Sequence, residues 1–212
     1  MMVYERPILL DVPSQFEDGL VVVRLYTDDD AVAVQDAIEE SREHLKPYQP
    51  FYLQELDDTR EFIRRAQCRF LLRDGFDLGM FSPENGRFLG GMGLSITRWG
   101  VPSFELGYWV RLSAEGRGYV TAAARLLTRF AFDRLEAERV VIRCDSRNTR
   151  SRAVAERLGF AYEGCFRRDS LDTSGNLRDT LTFAMIRDDY RHARENVWPH
   201  KQTDPQAASE LS

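Results

Sequence analysis

Two glycines flank an arginine at the start of an apolar, alanine-rich stretch, in the segment AEGRGYVTAAARLLTRFAF at residues 114–132. The apolar residues recur at helical spacing and predict an amphipathic helix over 117–136. The first N–H groups of a helix lack partners within it, and the helix dipole adds partial positive charge there. Gly116 and Gly118 would let a bulky anion approach the backbone, and Arg117 would add a cation. The segment is therefore either a plain turn or an anion site.

The glycine pattern can be compared with three phosphate-binding motifs. The chain has no GxxxxGK string followed by Ser or Thr, which excludes a P-loop. The dinucleotide fingerprint GxGxxG lacks its third glycine, because Thr121 stands there. The remaining motif is a loop for coenzyme A, whose pyrophosphate would lie on the turn. A glycine-rich turn without any ligand stays open as the alternative.

The composition argues against several other classes of function. The 212 residues are 43% hydrophobic, which suits one domain. A net charge of −5 and a pI of about 5.4 argue against nucleic-acid binding. Three cysteines without CxxC spacing, and three histidines without partners at ligand spacing, argue against disulfides or a metal site and fit a reducing cytoplasm. No uncharged stretch reaches the ~18 residues of a membrane span, and the N-terminal segment lacks a signal-peptide core.

Local patterns predict a mixed α/β chain. The predicted strands are residues 20–27, two arms of a hairpin within 76–99, residues 103–112, and the segments ERVVIRCDS, AYEGCFRRDS and LRDTLTFAMI. The predicted helices are residues 28–45, 56–72 and 117–136, the segment NTRSRAVAERLGF between an Asn148 N-cap and Gly159, and a last helix that ends near Trp198. In the helix over 56–72, Phe62, Ala66 and Phe70 are expected to form the buried stripe.

Residues 104–164, from FELGYWVRL to AYEG, closely resemble the core of the GNAT N-acetyltransferases, in particular the RimJ/RimL type that acetylates protein N-termini. The segments SREHLKPYQPF and GRFLGGMGLS extend the resemblance, which covers about residues 18–190. It implies the GNAT fold, a twisted, mostly antiparallel sheet of about seven strands with a splayed parallel pair and helices on both faces. We expect one such domain over residues 1–198 and a polar, disordered tail over 199–212.

The resemblance implies acetyl-CoA as the cofactor and assigns its binding residues. The family's anion loop, Gln or Arg, x, x, Gly, x, Gly or Ala, corresponds to residues 115–120; Gly118 matches, whereas Glu115 and Val120 depart. A carboxylate at Glu115 would repel the pyrophosphate unless its side chain turns outward. The expected cofactor-binding residues lie in the strand edge, the loop and the next helix: Val110, Leu112, Gly116, Arg117, Gly118, Tyr119, Val120, Asn148 and Ser151.

Glu105 and Ser151 are the catalytic candidates. The family often has an acid at the start of the cofactor strand, where Glu105 stands and would accept the amine's proton through water. An α-amine, with an ordinary pKa of about 7.7–8.0, needs less of a base than a lysine at about 10.4. The family pattern N-x-x-S implies that Asn148 forms a hydrogen bond to the pantetheine arm of acetyl-CoA and that Ser151 faces the thioester sulfur. Each assignment has a structural alternative. Glu105 could be an ordinary glutamate at a strand end, Asn148 could serve only as a helix cap, and Ser151 could be a solvated residue of the first helical turn.

The implied activity is transfer of an acetyl group to a primary amine, most simply a protein N-terminal α-amine, by direct attack in a ternary complex. Acetylation of a small amine, such as a polyamine, an amino acid or an antibiotic, is one alternative, and a non-catalytic acyl-CoA sensor is another. The aromatic loop at 47–51 either frames the acceptor pocket or packs as a connector, and Tyr108 and Trp109 are expected in the core. A homodimer is implied by analogy alone, and neither nucleic acid nor membrane is an expected partner.

Overall fold

The computed structural model describes residues 7–198, and most of this range lies in strands and helices. The strands are β1 (Gln15–Glu17), β2 (Val22–Leu25), β3 (Gly75–Phe81), β4 (Phe88–Arg98), β5 (Ser103–Val110), β6 (Arg139–Asp145), β7 (Ala161–Leu171) and β8 (Leu177–Ile186). The α-helices are α1 (Ala31–Glu40), α2 (Arg42–Leu45), α3 (Leu56–Leu72), α4 (Tyr119–Asp133), α5 (Thr149–Leu158) and α6 (Arg187–His192).

The eight strands form one sheet in the order β1-β2-β3-β4-β5-β6-β8-β7. All neighbouring pairs are antiparallel except β5 and β6. These two strands flank α4 in the chain, so α4 is the crossover that a parallel pair requires. This mixed α/β sheet is the predicted architecture, with one strand more than the expected seven.

The parallel pair is short. β5 and β6 are aligned only at Ser103–Arg139, Phe104–Val140 and Glu105–Val141. β5 then continues to Val110 along its other neighbour, β4, while β6 continues to Asp145 along β8. The two strands therefore separate beyond Glu105, which opens a gap in the middle of the sheet.

The core consists of two hydrophobic clusters. The larger one combines α4 with alternate residues of the central strands, and Phe76, Phe104 and Leu127 are fully buried in it. The smaller one combines α1 and α3 with β2 to β4 and includes Ile38 and Ile63. Because successive strand residues point to opposite faces, the sheet can carry helices on both sides, and the gap lies between these two layers.

Two local predictions were wrong. In α3 the buried stripe uses Ile63, which is fully buried, and not Phe62, which is 38% exposed. The helix expected over 117–136 is shorter at both ends. It begins after Gly118, whose φ of 83° is left-handed, and it is over before Glu136, whose φ is 51°. Both residues therefore lie outside the helical region of backbone conformation.

Residues 1–6 and 199–212 lie outside the described range, so the predicted tail is not part of this description. The predicted helix end near Trp198 is confirmed, because α6 continues as a π turn to Val197. Among residues 7–198, no helix combines the length and the apolar character needed to cross a membrane.

Candidate active site

A cavity of about 1200 Å³ occupies the gap between β5 and β6. Its walls come from both strands, from the first turns of α4 and α5, and from the segment 43–49 around α2. The predicted aromatic–proline loop thus contributes Pro47 and Tyr48 to the wall. Eight of the ten predicted site residues also line it: Glu105, Val110, Gly116, Gly118, Tyr119, Val120, Asn148 and Ser151.

Leu112 and Arg117 are the two predicted residues that the structure does not bring to the cavity wall. The backbone N–H of Leu112 donates to Ser41 Oγ at 2.9 Å, and its carbonyl accepts from the Glu115 N–H at 3.2 Å. Its backbone groups are therefore engaged within the protein. The unpaired edge of β5 that faces the gap ends at Val110.

The glycine turn leaves its backbone open on the cavity side. Gly116 and Gly118 have φ angles of 71° and 83°, which favour glycine, and no heavy atom lies closer than 3.9 Å to the position of an added Cβ. The first bond of α4 runs from the Ala122 N–H to the Gly118 carbonyl. Within the described chain, no group accepts a hydrogen bond from the N–H groups of residues 116–121. A helix start with free N–H groups beside a cavity can hold an anion.

The side chain of Glu115 is paired with two basic side chains. One carboxylate oxygen lies 2.7 Å from His44 Nε2 and 2.7 Å from Arg150 Nη1. These contacts join the loop before α4 to α2 and to the first turn of α5. The positive charge of Arg150 offsets the carboxylate that sequence analysis placed near the pyrophosphate.

A second carboxylate, that of Glu40 at the end of α1, holds the same loop. Glu40 accepts a hydrogen bond from the backbone of Ser113 at 2.8 Å and one from Arg111 Nε at 3.0 Å. The hydrogen bonds from Arg111 lower the pKa of Glu40 to about 2, although partial burial acts in the opposite direction. The loop that carries the glycine turn is therefore fixed to α1 by a carboxylate whose lowered pKa keeps it ionised at neutral pH.

Ser151 lies in the first turn of α5 at the other side of the gap. Its N–H donates to Asn148 Oδ1 at 3.0 Å, so Asn148 caps this helix as predicted. Its hydroxyl lies 3.0 Å from Tyr108 Oη. Burial raises the pKa of the Cys144 thiol and that of the Tyr108 hydroxyl, so both groups keep their protons at neutral pH.

Tyr108 packs against the larger core cluster, as expected, and it also lines the cavity, which was not expected. Tyr108 follows Phe104 and Leu106 on one face of β5, and these two are buried. Their alternation extends to the strand end, where the neighbouring strand has already turned away. The sequence signal that could have identified Tyr108 is a tyrosine that continues the alternation of buried residues at the end of a strand expected to splay from its neighbour.

Glu105 lies at the last position where β5 and β6 are paired, opposite Val141. Since successive residues of a strand alternate between faces, Glu105 and Tyr108 point to opposite faces of β5. The cavity therefore has a carboxylate on one face of the sheet and the hydroxyls of Tyr108 and Ser151 on the other.

Arginines exceed carboxylates on the cavity wall, although the whole chain is acidic. Asp145, at the end of β6, is buried and accepts hydrogen bonds from Arg147 at 2.6 and 2.9 Å. Burial alone would raise the pKa of Asp145, but the bonds from Arg147 outweigh it and hold that pKa below its ordinary value. The wall includes six arginines (Arg125, Arg143, Arg147, Arg150, Arg157 and Arg178) and four carboxylates (Glu43, Glu105, Glu115 and Asp145).

Comparison with known proteins gives relatives for most of the chain. The Bacillus subtilis (strain 168) protein YdaF, provisionally named a ribosomal N-acetyltransferase, is 42% identical over 83 residues, which are 39% of this chain and 45% of YdaF. The ribosomal protein uS5-alanine N-acetyltransferase of Escherichia coli (strain K12) is 27% identical over 182 residues, which cover 82% of this chain and 91% of that enzyme. A crystal structure described as a probable acetyltransferase has a TM-score of 0.76 at 27% identity and covers 82% of this chain and 98% of its own.

The family model of the acetyltransferase (GNAT) domain matches residues 21–161. This range contains β2 to β6 with the splayed pair, the glycine turn, and α5 with Asn148 and Ser151. The match confirms the resemblance that led us to expect acetyl-CoA as the cofactor. The chain therefore belongs to the GNAT acetyltransferase family, whose enzymes are acetyl-CoA-dependent acyltransferases.

Proposed function

We propose that this protein transfers the acetyl group of acetyl-CoA to the N-terminal α-amine of a protein. The observation that carries the proposal is the gap between β5 and β6. The backbone N–H groups of residues 116 and 118–121, which have no partner among residues 7–198, lie on one wall, and Glu105 lies on another. The Escherichia coli relative is named for N-acetylation of an alanine of ribosomal protein uS5. A ribosomal protein as acceptor would place this enzyme in the cytoplasm. The structure has three free cysteines (Cys68, Cys144 and Cys165), which suit that reducing compartment.

We infer that the cofactor lies in the gap. The N–H groups from Gly116 to Val120 would hold its diphosphate, and the open space at Gly116 and Gly118 fits a bulky anion. Val110, at the end of the unpaired edge of β5, would pair with an amide of the pantetheine arm, as one strand pairs with another. Leu112 and Arg117 would act from outside the wall, through packing and charge.

When bound, acetyl-CoA supplies the thioester carbonyl that an amine attacks. Glu105 would accept the proton that the attacking nitrogen loses, directly or through one water. On the opposite face, Ser151 Oγ would donate its hydrogen bond toward the sulfur, and Tyr108 Oη, 3.0 Å from Ser151 Oγ, would in turn donate to it. The raised pKa of Tyr108 keeps a proton available at that end of the pair. Proton uptake and proton donation thus take place on different faces of the sheet.

An acceptor screen tests the proposal. Release of free thiol is measured with acetyl-CoA and short peptides with a free N-terminus, polyamines, amino acids and aminoglycosides. The control peptides have the same sequences with a blocked N-terminus. We expect turnover with free N-termini alone, and mass spectrometry should place the added acetyl group on the α-nitrogen.

The alternatives give different results in the same screen. Turnover with polyamines or aminoglycosides, but with no peptide, would identify a small-amine acetyltransferase. Stabilisation against heat by acetyl-CoA without thiol release for any amine would identify an acyl-CoA sensor.

A further inference from the structure

Arg178 is a cavity residue that the catalytic scheme does not use. It is near the start of β8, and its side chain is 26% exposed on the cavity wall. In the sheet, Thr180 of β8 pairs with Asp145 of β6, and Glu105 of β5 pairs with Val141 of β6. Paired residues share a face and alternate residues of a strand do too, so Arg178 lies on the same face of the sheet as Glu105.

The guanidinium of Arg178 makes one long ion pair, with Asp145, and no hydrogen bond among residues 7–198. None of its nitrogens donates a hydrogen bond to them, and Nε is buried without a partner. The nearest carboxylate oxygen, Asp145 Oδ2, lies 3.8 Å from Nη1. Asp145 is already paired with Arg147 through two side-chain bonds and one backbone bond. A buried donor without a hydrogen-bond acceptor gains more free energy from binding a ligand than a donor that already has an acceptor in the protein.

The other arginines of the wall differ from Arg178. Four have carboxylates within 3.1 Å: Arg125 with Asp18, Arg143 with Asp169, Arg147 with Asp145 and Arg150 with Glu115. Arg157 has no such carboxylate but donates to Thr121 Oγ1 at 3.3 Å, in the first turn of α4 beside the glycine turn. Arg157 therefore lies beside the turn proposed to bind the anionic cofactor. Arg178 instead lies on the face of the sheet that carries Glu105, the proposed base.

We propose that Arg178 selects the acceptor by binding a carboxylate within the first few residues of an N-terminal segment. This inference rests on the proposed function, because it assumes a peptide acceptor. A planar guanidinium with free N–H groups matches a carboxylate in geometry and charge.

Peptides that differ in one charge test the inference. A short peptide with a free N-terminus is prepared with a single Glu at the second, third or fourth position, and each is compared with its Gln counterpart at saturating acetyl-CoA. We expect the Glu peptide to be the better substrate at one of these positions, by about tenfold in kcat/KM. The free amino acids Asp and Glu are included as a second source of a carboxylate next to an amine.

Variants of the protein connect the preference to Arg178. In Arg178→Gln the preference should disappear through a higher KM for the Glu peptide, while the Gln peptide keeps its rate. Arg178→Lys should retain part of the preference. Arg167→Gln, which removes an exposed charge of β7, is the matched control and should keep all of it. An unchanged melting temperature and an unchanged KM for acetyl-CoA exclude a folding defect in Arg178→Gln.

The outcomes separate this inference from the proposed function. Equal use of Glu and Gln peptides by the wild type, or a preference that persists in Arg178→Gln, overturns the role of Arg178 and leaves N-terminal acetylation intact. Turnover with free Asp or Glu that requires Arg178, without turnover of any peptide, overturns the peptide acceptor in both proposals. No turnover with any of these amines overturns both.

Discussion

The hydroxyl of Tyr108 lies 3.0 Å from the hydroxyl of Ser151, across the gap between β5 and α5. The same hydroxyl lies 3.2 Å from the carbonyl of Ser151. This contact joins the end of one strand of the splayed pair to the helix that follows the other. In the proposed reaction these two hydroxyls act as one unit toward the leaving sulfur.

Removal of either hydroxyl should lower kcat by a similar amount. Tyr108→Phe and Ser151→Ala are each expected to reduce kcat about tenfold, because each interrupts proton donation to the thiolate. The kcat of the double variant should be no lower than that of the less active single variant, because the effects of two residues in one hydrogen-bond chain are not additive. Tyr162→Phe, which removes an exposed tyrosine hydroxyl of β7, is the control. Multiplied losses in the double variant would show that the two hydroxyls act separately.

Glu105→Gln should lower the rate most below neutral pH. An α-amine is mostly protonated there, so a base that removes the proton matters more than at high pH, where the free amine is abundant. The pH profile of kcat/KM for an N-terminal peptide measures this effect. Glu84→Gln, in the exposed turn between β3 and β4, controls for the loss of one carboxylate. An identical profile in Glu105→Gln would remove Glu105 from the role of base.

The Glu115–Arg150 pair predicts opposite effects on cofactor binding. Glu115→Gln removes a negative charge near the proposed diphosphate site and should tighten acetyl-CoA binding, whereas Arg150→Gln leaves that charge unbalanced and should weaken it. Each effect should be about two- to fivefold and should shrink at high salt, because the pair is partly exposed. Titration calorimetry at two salt concentrations measures both. Arg152→Gln, on the same helix but bound to Glu156, is the matched control. Effects of equal sign in both variants would contradict the pairing.

Glu40 should make part of the protein's stability dependent on acid pH. Its pKa is about 2 in the folded protein, against 4.5 for an ordinary glutamate, and the hydrogen bonds from Arg111 are the main reason. A lowered folded-state pKa stabilises the fold above the unfolded pKa, and this contribution is lost as pH falls toward 2. The free energy of unfolding of Glu40→Gln should therefore fall less steeply between pH 4.5 and pH 2 than that of the wild type. Parallel curves for the two proteins would show that the contact contributes nothing.

The sequence predicted the parts of this site that depend on local pattern. The glycine turn, the amphipathic helix after it and the Asn148 cap are read from residues close together in the chain, and the structure contains all three. The orientation of Glu115 was not predictable, because its partner Arg150 is 35 residues away and a charge pattern does not specify a pair at that distance. The same holds for Tyr108 and Ser151, which are 43 residues apart. The strand β1 has only three residues, too few for an alternating pattern to appear.

The short ladder between β5 and β6 divides the sheet into two halves that share three residue pairs. Elsewhere in the sheet the backbone groups stabilise the fold by bonding to one another, but along this seam several of them have no strand to bond to. A molecule that enters the seam completes the hydrogen bonding of the fold, so occupancy and unfolding become thermodynamically linked. In the proposed complex, acetyl-CoA would therefore stiffen the middle of this protein, and the melting temperature should rise with the concentration of the thioester.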